Sequence, residues 1–342
     1  MTRRDILYFN TWYRGHNNAR YEELLPRLDR VRPYLLTFPR SRVARAGAER
    51  LWRVARGNAE PVTLAALQRR HPYAFVTDLR QLPSLHVPAF VDVDDLDFTP
   101  ENAALLARST AVAYAVTAES AARKLEALGV GLPWHVIPQG AALDAGPAML
   151  APPAADGPVV GYVAAFLVLP GDRGGENPLY DMTHTLELWE EIRAAVPSAE
   201  LWLVGAPGPR LRARVAGRRD IRLFGRRGRA ELLSILSGVD VAIYPRRSDP
   251  GIRASKVAEY LGAGLPVVAY DLPVVDDLRA AGSGLLVASP AGFVGAVVRL
   301  LGDDAKRGRL AAAAAAEGAR RDWRVLAADY AALLDRYLPR LD

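Results

Sequence analysis

Along this chain of 342 residues, short apolar runs bounded by turn residues alternate with stretches of helical period. A strand that is apolar at consecutive positions must be covered on both faces, and a parallel sheet flanked by helices is the arrangement that covers it. In the first half the pattern predicts strands near Ile6–Asn10, Tyr34–Phe38, Tyr73–Thr77, Ala89–Val93, Ala113–Thr117 and His135–Ile137. Helices are expected near 18–30, 41–56, 61–70, 101–108 and 119–128. After an Ala, Gly and Pro-rich segment from Leu143 to Pro158, a second series follows. Its strands fall at 159–164, 200–204, 221–224, 239–244, 266–270 and 284–287, and its helices at 181–195, 229–237, 254–263, 290–301 and 303–320. An amphipathic run from Trp323 to Leu338 closes the chain.

Composition removes several chemistries. With no cysteine, disulfides, thiolate metal sites and thiol nucleophiles are excluded. The five histidines show no zinc spacing or Ser–His–Asp arrangement. No apolar run is long enough for a membrane span, and Met1-Thr2-Arg3-Arg4-Asp5 leads straight into a strand rather than a signal core. A cytoplasmic location is expected, with peripheral membrane association as its variant. Net charge is +6, almost all of the base being arginine, since lysine stands only at 124, 256 and 306. That balance suits anionic partners. It does not suit nucleic acid, because no basic module interleaved with aromatics is present. The segment from Arg40 to Arg56, with six arginines against Glu49, reads as a solvated helix face or as one that lies on anionic lipid.

The richest stretch is Ser255-Lys256-Val257-Ala258-Glu259-Tyr260-Leu261-Gly262-Ala263-Gly264-Leu265-Pro266-Val267-Val268-Ala269, a short helix, a glycine stop and a buried strand. A helix start offers unpaired N–H groups and partial positive charge, so Ala254, Ser255 and Lys256 can hold a diphosphate. Glu259 shares the helix face of Lys256 and can accept hydrogen bonds from ribose hydroxyls. The same spacing also describes an ordinary solvated helix face.

The order of motifs resembles retaining glycosyltransferases of the GT-B fold, the group 1 or family 4-like type. Their donor site carries a Lys-x-x-Glu-Tyr-Leu-x-x-Gly-x-Pro-Val-Val run. His135-Val136-Ile137-Pro138-Gln139-Gly140 resembles the strand and turn that close their first domain. Leu201-Trp202-Leu203-Val204-Gly205 and Val239-Asp240-Val241-Ala242-Ile243-Tyr244-Pro245 resemble strands of their second. Ile221-Arg222-Leu223-Phe224-Gly225 resembles the strand whose end, here Gly225 and Arg226, contacts the nucleobase. The resemblance implies an α/β, GT-B architecture: two Rossmann-like domains facing each other across a cleft. The acceptor domain would span 1–148, with a terminal helix 323–342 packing back on it, and the donor domain 149–322.

Several positions depart from the family pattern. Asp249-Pro250-Gly251 resembles Glu-Pro-x-Gly with altered spacing, so Asp249 and Gly251 either meet the donor sugar or form a capped turn. Arg253 is a further cation in that loop. In the Gly and Pro-rich loop 167–180, Arg173 is the only cation and is the candidate to neutralise the leaving diphosphate; the loop is alternatively a lid. In Val91-Asp92-Val93-Asp94-Asp95-Leu96, Asp94 takes the place of a histidine that lines the relatives' cleft beside the sugar. An acidic helix cap is the second reading and a divalent-metal site the third. In the loop after the first strand, Gly15 allows close backbone approach, and His16 is either a ligand contact or a structural histidine.

The expected function is therefore a glycosyltransferase moving a sugar from a nucleotide-diphosphate donor to a small-molecule, glycan or lipid-linked acceptor. Retention of configuration and independence of metals or other cofactors are implied by the resemblance. The catalytic candidates are Asp94, Arg173, Lys256 and His16; the donor-binding candidates are Glu259, Ser255, Ala254, Arg253, Asp249, Gly251, Gly225, Arg226 and Gly15. A sugar-nucleotide epimerase of the same fold and a non-catalytic nucleotide-sugar binding protein are the alternatives.

Overall fold

A computed structural model describes residues 5–11, 23–36, 64–94, 98–141, 143, 151–175, 180–248 and 254–340. The chain divides into two compact units, residues 1–138 with 323–342 and residues 139–322. The division falls before the boundary expected after residue 148. Residues 151–158 run along the second unit, where the Ala151 carbonyl accepts from Ser234 Oγ at 2.9 Å and the Ala154 carbonyl from Arg222 at 2.8 Å.

Unit 1 contains β1 (Ile6–Thr11), β2 (Val31–Leu36), α1 (Leu64–Arg70), β3 (Tyr73–Val76), β4 (Ala89–Val93), α2 (Pro100–Ala107), β5 (Ala111–Val116), α3 (Glu119–Ala127) and β6 (Trp134–Val136). Unit 2 begins with β7 (Val159–Leu167), α4 (Thr183–Ala195), β8 (Glu200–Pro207), α5 (Pro209–Val215), β9 (Ile221–Gly225), α6 (Arg229–Leu236) and β10 (Val241–Tyr244). It continues with α7 (Ser255–Gly262), β11 (Val267–Tyr270), α8 (Asp276–Ala281), β12 (Gly284–Val287), α9 (Pro290–Gly302) and α10 (Asp304–Arg320). The last helix, α11 (Trp323–Tyr337), belongs to unit 1.

Each unit holds one six-stranded parallel sheet, ordered β2-β1-β3-β4-β5-β6 in the first and β12-β11-β10-β7-β8-β9 in the second. The continuous apolar strands bury both faces. In β8, Leu201 and Leu203 join a core with Trp189 and Phe293, while Trp202 and Val204 join another with Tyr260 and Val267. In β3, Ala74 and Val76 meet the α2 side chains Ala103 and Leu106, whereas Phe75 lies edge-on to Tyr330 of α11 at 5.9 Å. Burying such a side chain contributes about 1.5–3 kcal/mol. Buried Arg30 links α11 to β1 as well: it forks onto buried Asp5 at 2.6 and 2.9 Å and reaches the half-exposed Asp335 at 2.6 Å.

Two expectations shift. Strand β2 starts three residues before the expected Tyr34 and includes Pro33, which is tolerated because β2 is an edge strand and needs no ladder bond on its outer side. Of the helix expected over 18–30, Glu23 and Leu24 are α-helical; a 3-10 turn at Leu25–Arg27 containing Pro26 then ends it early, and the chain enters β2 at Val31. The helix expected over 41–56 lies outside the described residues. No described helix is long and apolar enough to cross a membrane.

Candidate functional site

The strand order of unit 2 fixes where a ligand can enter. From β7 the chain winds outward through β8 and β9, then returns to the other side of β7 for β10, β11 and β12. In such sheets the crevice at the carboxyl ends of the two strands flanking the reversal takes the ligand. Here these strands are β7 and β10. They pair only at Val160–Val241 and Gly161–Ala242, and beyond that they separate. The Tyr260 hydroxyl fills the gap, accepting from the Val163 N–H at 2.9 Å and donating to the Ile243 carbonyl at 3.4 Å. Burial raises this phenol well above its ordinary value, so it stays a neutral donor.

Tyr260 anchors α7, whose buried Val257, Ala258 and Leu261 face the core. On its other side α10 packs directly: a Cβ on Gly318 would stand 2.4 Å from the Leu261 carbonyl oxygen. Lys256, one turn before Tyr260, is thereby carried to the crevice. Its Nζ donates to Tyr162 Oη at 3.3 Å and lies 4.9 Å from the Tyr162 ring centroid and 5.6 Å from that of Tyr244. Tyr162 is on β7 and Tyr244 ends β10, so the lysine is clasped by the two strands of the reversal. Burial pushes Lys256 down to about 8, helped by Arg246 and opposed by Tyr244 and Glu259. Burial pushes Tyr162 up to about 12. Arg246 Nη1 donates to Tyr244 Oη at 3.1 Å.

Glu259 is half-buried three residues further along α7 and makes no hydrogen bond among the described residues. Burial raises its carboxyl above the usual value, against the pull of Arg229 and Lys256. Its acceptor capacity is open to a ligand. Ala254 is the N-cap residue of α7, with no side-chain cap bond, and Ser255 is exposed in the first turn. Lys256, Glu259, Ser255 and Ala254 therefore lie within the first two turns of α7 and its cap. Gly225 ends β9 with φ of +73°, a backbone conformation that favours glycine, and Arg226 follows it exposed.

The other candidates are dispersed. Arg173 is exposed and makes no ion pair among the described residues. The loop before it is fastened to α5: buried Asp172 accepts from the Leu169 N–H at 3.0 Å and the Arg210 N–H at 2.9 Å. Burial would raise Asp172, but these backbone donors hold it below its ordinary value. The start of the expected lid is thus tied down. Asp94 is buried just beyond β4 in unit 1, two residues after buried Asp92. Gly15, His16, Asp95, Asp249, Gly251 and Arg253 lie outside the described residues. Sequence reasoning does not find Tyr162, Tyr244 or Arg246. Tyr244-Pro245 reads locally as a strand end, and nothing nearby marks Tyr162 as a partner of a lysine 94 positions away.

A family match falls on the same unit, and the similar solved structures span both. Residues 177–303 match the family model described as Glycosyl transferases group 1. No curated protein sequence matches the chain. Among solved structures, HepE from Anabaena in complex with UDP is similar with a TM-score of 0.70 and 14% identity, over 97% of this chain and 100% of that one. WaaG, a glycosyltransferase involved in lipopolysaccharide biosynthesis, gives 0.64 at 12% identity, over 98% and 100%. Sucrose-phosphate synthase from Thermosynechococcus elongatus gives 0.62 at 17%, over 90% and 84%. The fold is that of these GT-B structures.

Proposed function

We propose that this chain, whose residues 177–303 match the family model described as Glycosyl transferases group 1 and whose fold is that of GT-B structures, is a glycosyltransferase that moves a sugar from a nucleoside diphosphate to a hydroxyl acceptor with retention of configuration and without a metal ion. The observation that carries the proposal is the Lys256–Glu259 pair, set at the sheet reversal inside the matched segment. Lys256 and the first-turn N–H groups of α7 meet the diphosphate, whose charge grows as the glycosidic bond breaks. Glu259 accepts from the ribose hydroxyls. In this reading the bond from the sugar C1 to the phosphate oxygen breaks while the acceptor oxygen bonds C1 on the same face, and the departing phosphate oxygen takes the acceptor proton. Asp94 is placed beside the sugar by the resemblance alone.

UDP is the first donor base to test, because HepE was solved with UDP, and also with UDP-glucose. Calorimetry with UDP and GDP identifies the base. The Glu259→Gln variant should then lose about 1.5–3 kcal/mol of binding, the value of a charge-assisted hydrogen bond. Unchanged affinity removes Glu259 from the ribose. Turnover of the matching nucleotide sugar is followed with acceptor present and absent, in excess chelator. Transfer that needs an acceptor and survives chelation supports the proposal. Product without any acceptor points to an epimerase, and binding with no turnover to a non-catalytic receptor.

A further inference from the structure

Resting on the donor-site reading above, we infer that Arg246 is the second cation of the diphosphate site, held in place by the hydroxyl of Tyr244. The sequence directs attention to Arg173, but the geometry favours a different arginine. Tyr244 carries two cations at once: Lys256 Nζ lies 5.6 Å from its ring centroid, and Arg246 Nη1 bonds its hydroxyl at 3.1 Å. Both cations sit at the carboxyl end of β10, one of the two strands that bound the ligand crevice. The two repel each other, for Arg246 lowers the affinity of Lys256 for its proton.

Neither has a carboxylate within ion-pair distance among the described residues, whereas elsewhere in unit 2 Arg218, Arg279, Arg307 and Arg321 are each paired with acids. Aromatic faces and a phenol hydroxyl can orient a cation without neutralising it. Two such cations on a common ring are complementary to an anion carrying charge on neighbouring phosphates. The remaining groups around Lys256 are Tyr162 from β7 and Glu259 from its own helix, with Arg229 of α6 facing Glu259. Arg246 therefore contributes a forked donor set to a site where Lys256 contributes a point charge.

The test titrates the full chain with UDP and, separately, with inorganic pyrophosphate. Arg246→Gln should weaken both by about ten- to a hundredfold, the loss of a charged hydrogen bond. The salt dependence of affinity should flatten, because one screened cation is gone. A structural role would lower affinity without changing that slope. Arg246→Lys should recover part of the loss, and Tyr244→Phe, which keeps the ring under Lys256 but frees the arginine, should fall between wild type and Arg246→Gln. Far-ultraviolet circular dichroism should be native in each. If the wild type binds UDP and Arg246→Gln binds it equally well, the inference is overturned and the donor-site reading stands. Pyrophosphate binding that depends on Arg246, with no nucleoside diphosphate bound, overturns the donor-site reading and leaves Arg246 as an anion ligand. A wild type that binds neither anion overturns both.

Discussion

Two clusters in the second unit treat positive charge in opposite ways. At the edge near β9, Arg218 places Nε and Nη2 on Asp220 at 2.8 and 2.6 Å and Nη1 on Glu190 at 2.6 Å, while Trp189 donates to the same aspartate at 2.9 Å. The Arg218 guanidinium holds the Asp220 carboxyl far below the usual carboxylate range. All three Arg218 nitrogens and the Trp189 indole are engaged by acids, so the charge serves the fold. At the crevice, Lys256 meets two tyrosines and Arg246 a phenol oxygen. That charge is aimed but not neutralised, and burial opposes it. Partners therefore separate structural cations from those available to a ligand better than the number of nearby arginines does.

The largest expected effect breaks the crevice side of this contrast. Lys256→Met should lower turnover by about 10²–10³, the range found when one donor to a developing oxyanion is removed. Its melting temperature should not fall, because the lysine makes no ion pair among the described residues for the fold to lose. Turnover within a few-fold of wild type would place the diphosphate elsewhere.

On the structural side, Asp220→Ala should cost about 1–3 kcal/mol of stability, because it removes a buried acceptor from Trp189 and from the partly exposed Arg218. UDP affinity should stay unchanged. The contribution has a definite pH sign: a carboxyl whose folded value is depressed stabilises above its unfolded value and loses that contribution as pH falls. The melting gap between wild type and Asp220→Asn should therefore narrow from pH 7 to pH 3. A constant gap would mean that packing around Trp189, not charge, holds this edge.

The smallest effect sharpens the contrast by titration. Lys256 is depressed to about 8 in the folded protein, so its contribution to the ligand-free fold is present above its unfolded value and is lost as pH falls through about 8. Wild type should be slightly less stable than Lys256→Met at pH 7 and equal to it at high pH. Binding a diphosphate favours the charged amine, so UDP affinity should decline above about pH 8, with proton uptake visible as a buffer-dependent binding enthalpy. An affinity independent of pH up to 10 would show that the amine does not face the anion.

The strands were legible wherever apolar residues ran without interruption, as at Tyr73–Val76 and Gly284–Val287. Short polar-capped elements were not, and α8, six residues starting Asp276-Asp277, has too few turns to show a period. Pro33 hid the start of β2 because the sequence does not say which strand lies at an edge. In the site, Lys256 and Glu259 could be read because helix geometry alone brings positions three apart together. Tyr162 and Arg246 could not, since their places depend on the order of strands in the sheet, which the linear pattern leaves open. The loop with Arg173 shows the converse: its glycines and proline suggested freedom, and one buried aspartate, Asp172, ties its start to a helix.

Unit 2 starts at Gln139 and ends at Asp322, and its two ends meet: Ala141 bridges Asp322, and the Ala141 N–H donates to the Arg321 carbonyl at 2.9 Å. Arg321 is itself locked to Asp277 and Glu317 at 2.8 and 2.7 Å. Topologically this makes residues 139–322 an insertion within the polypeptide of the first unit, a closed loop of sequence with one clasped neck. A gene cut at both sides of that neck should yield a module that can be expressed alone or exchanged for another of the same build.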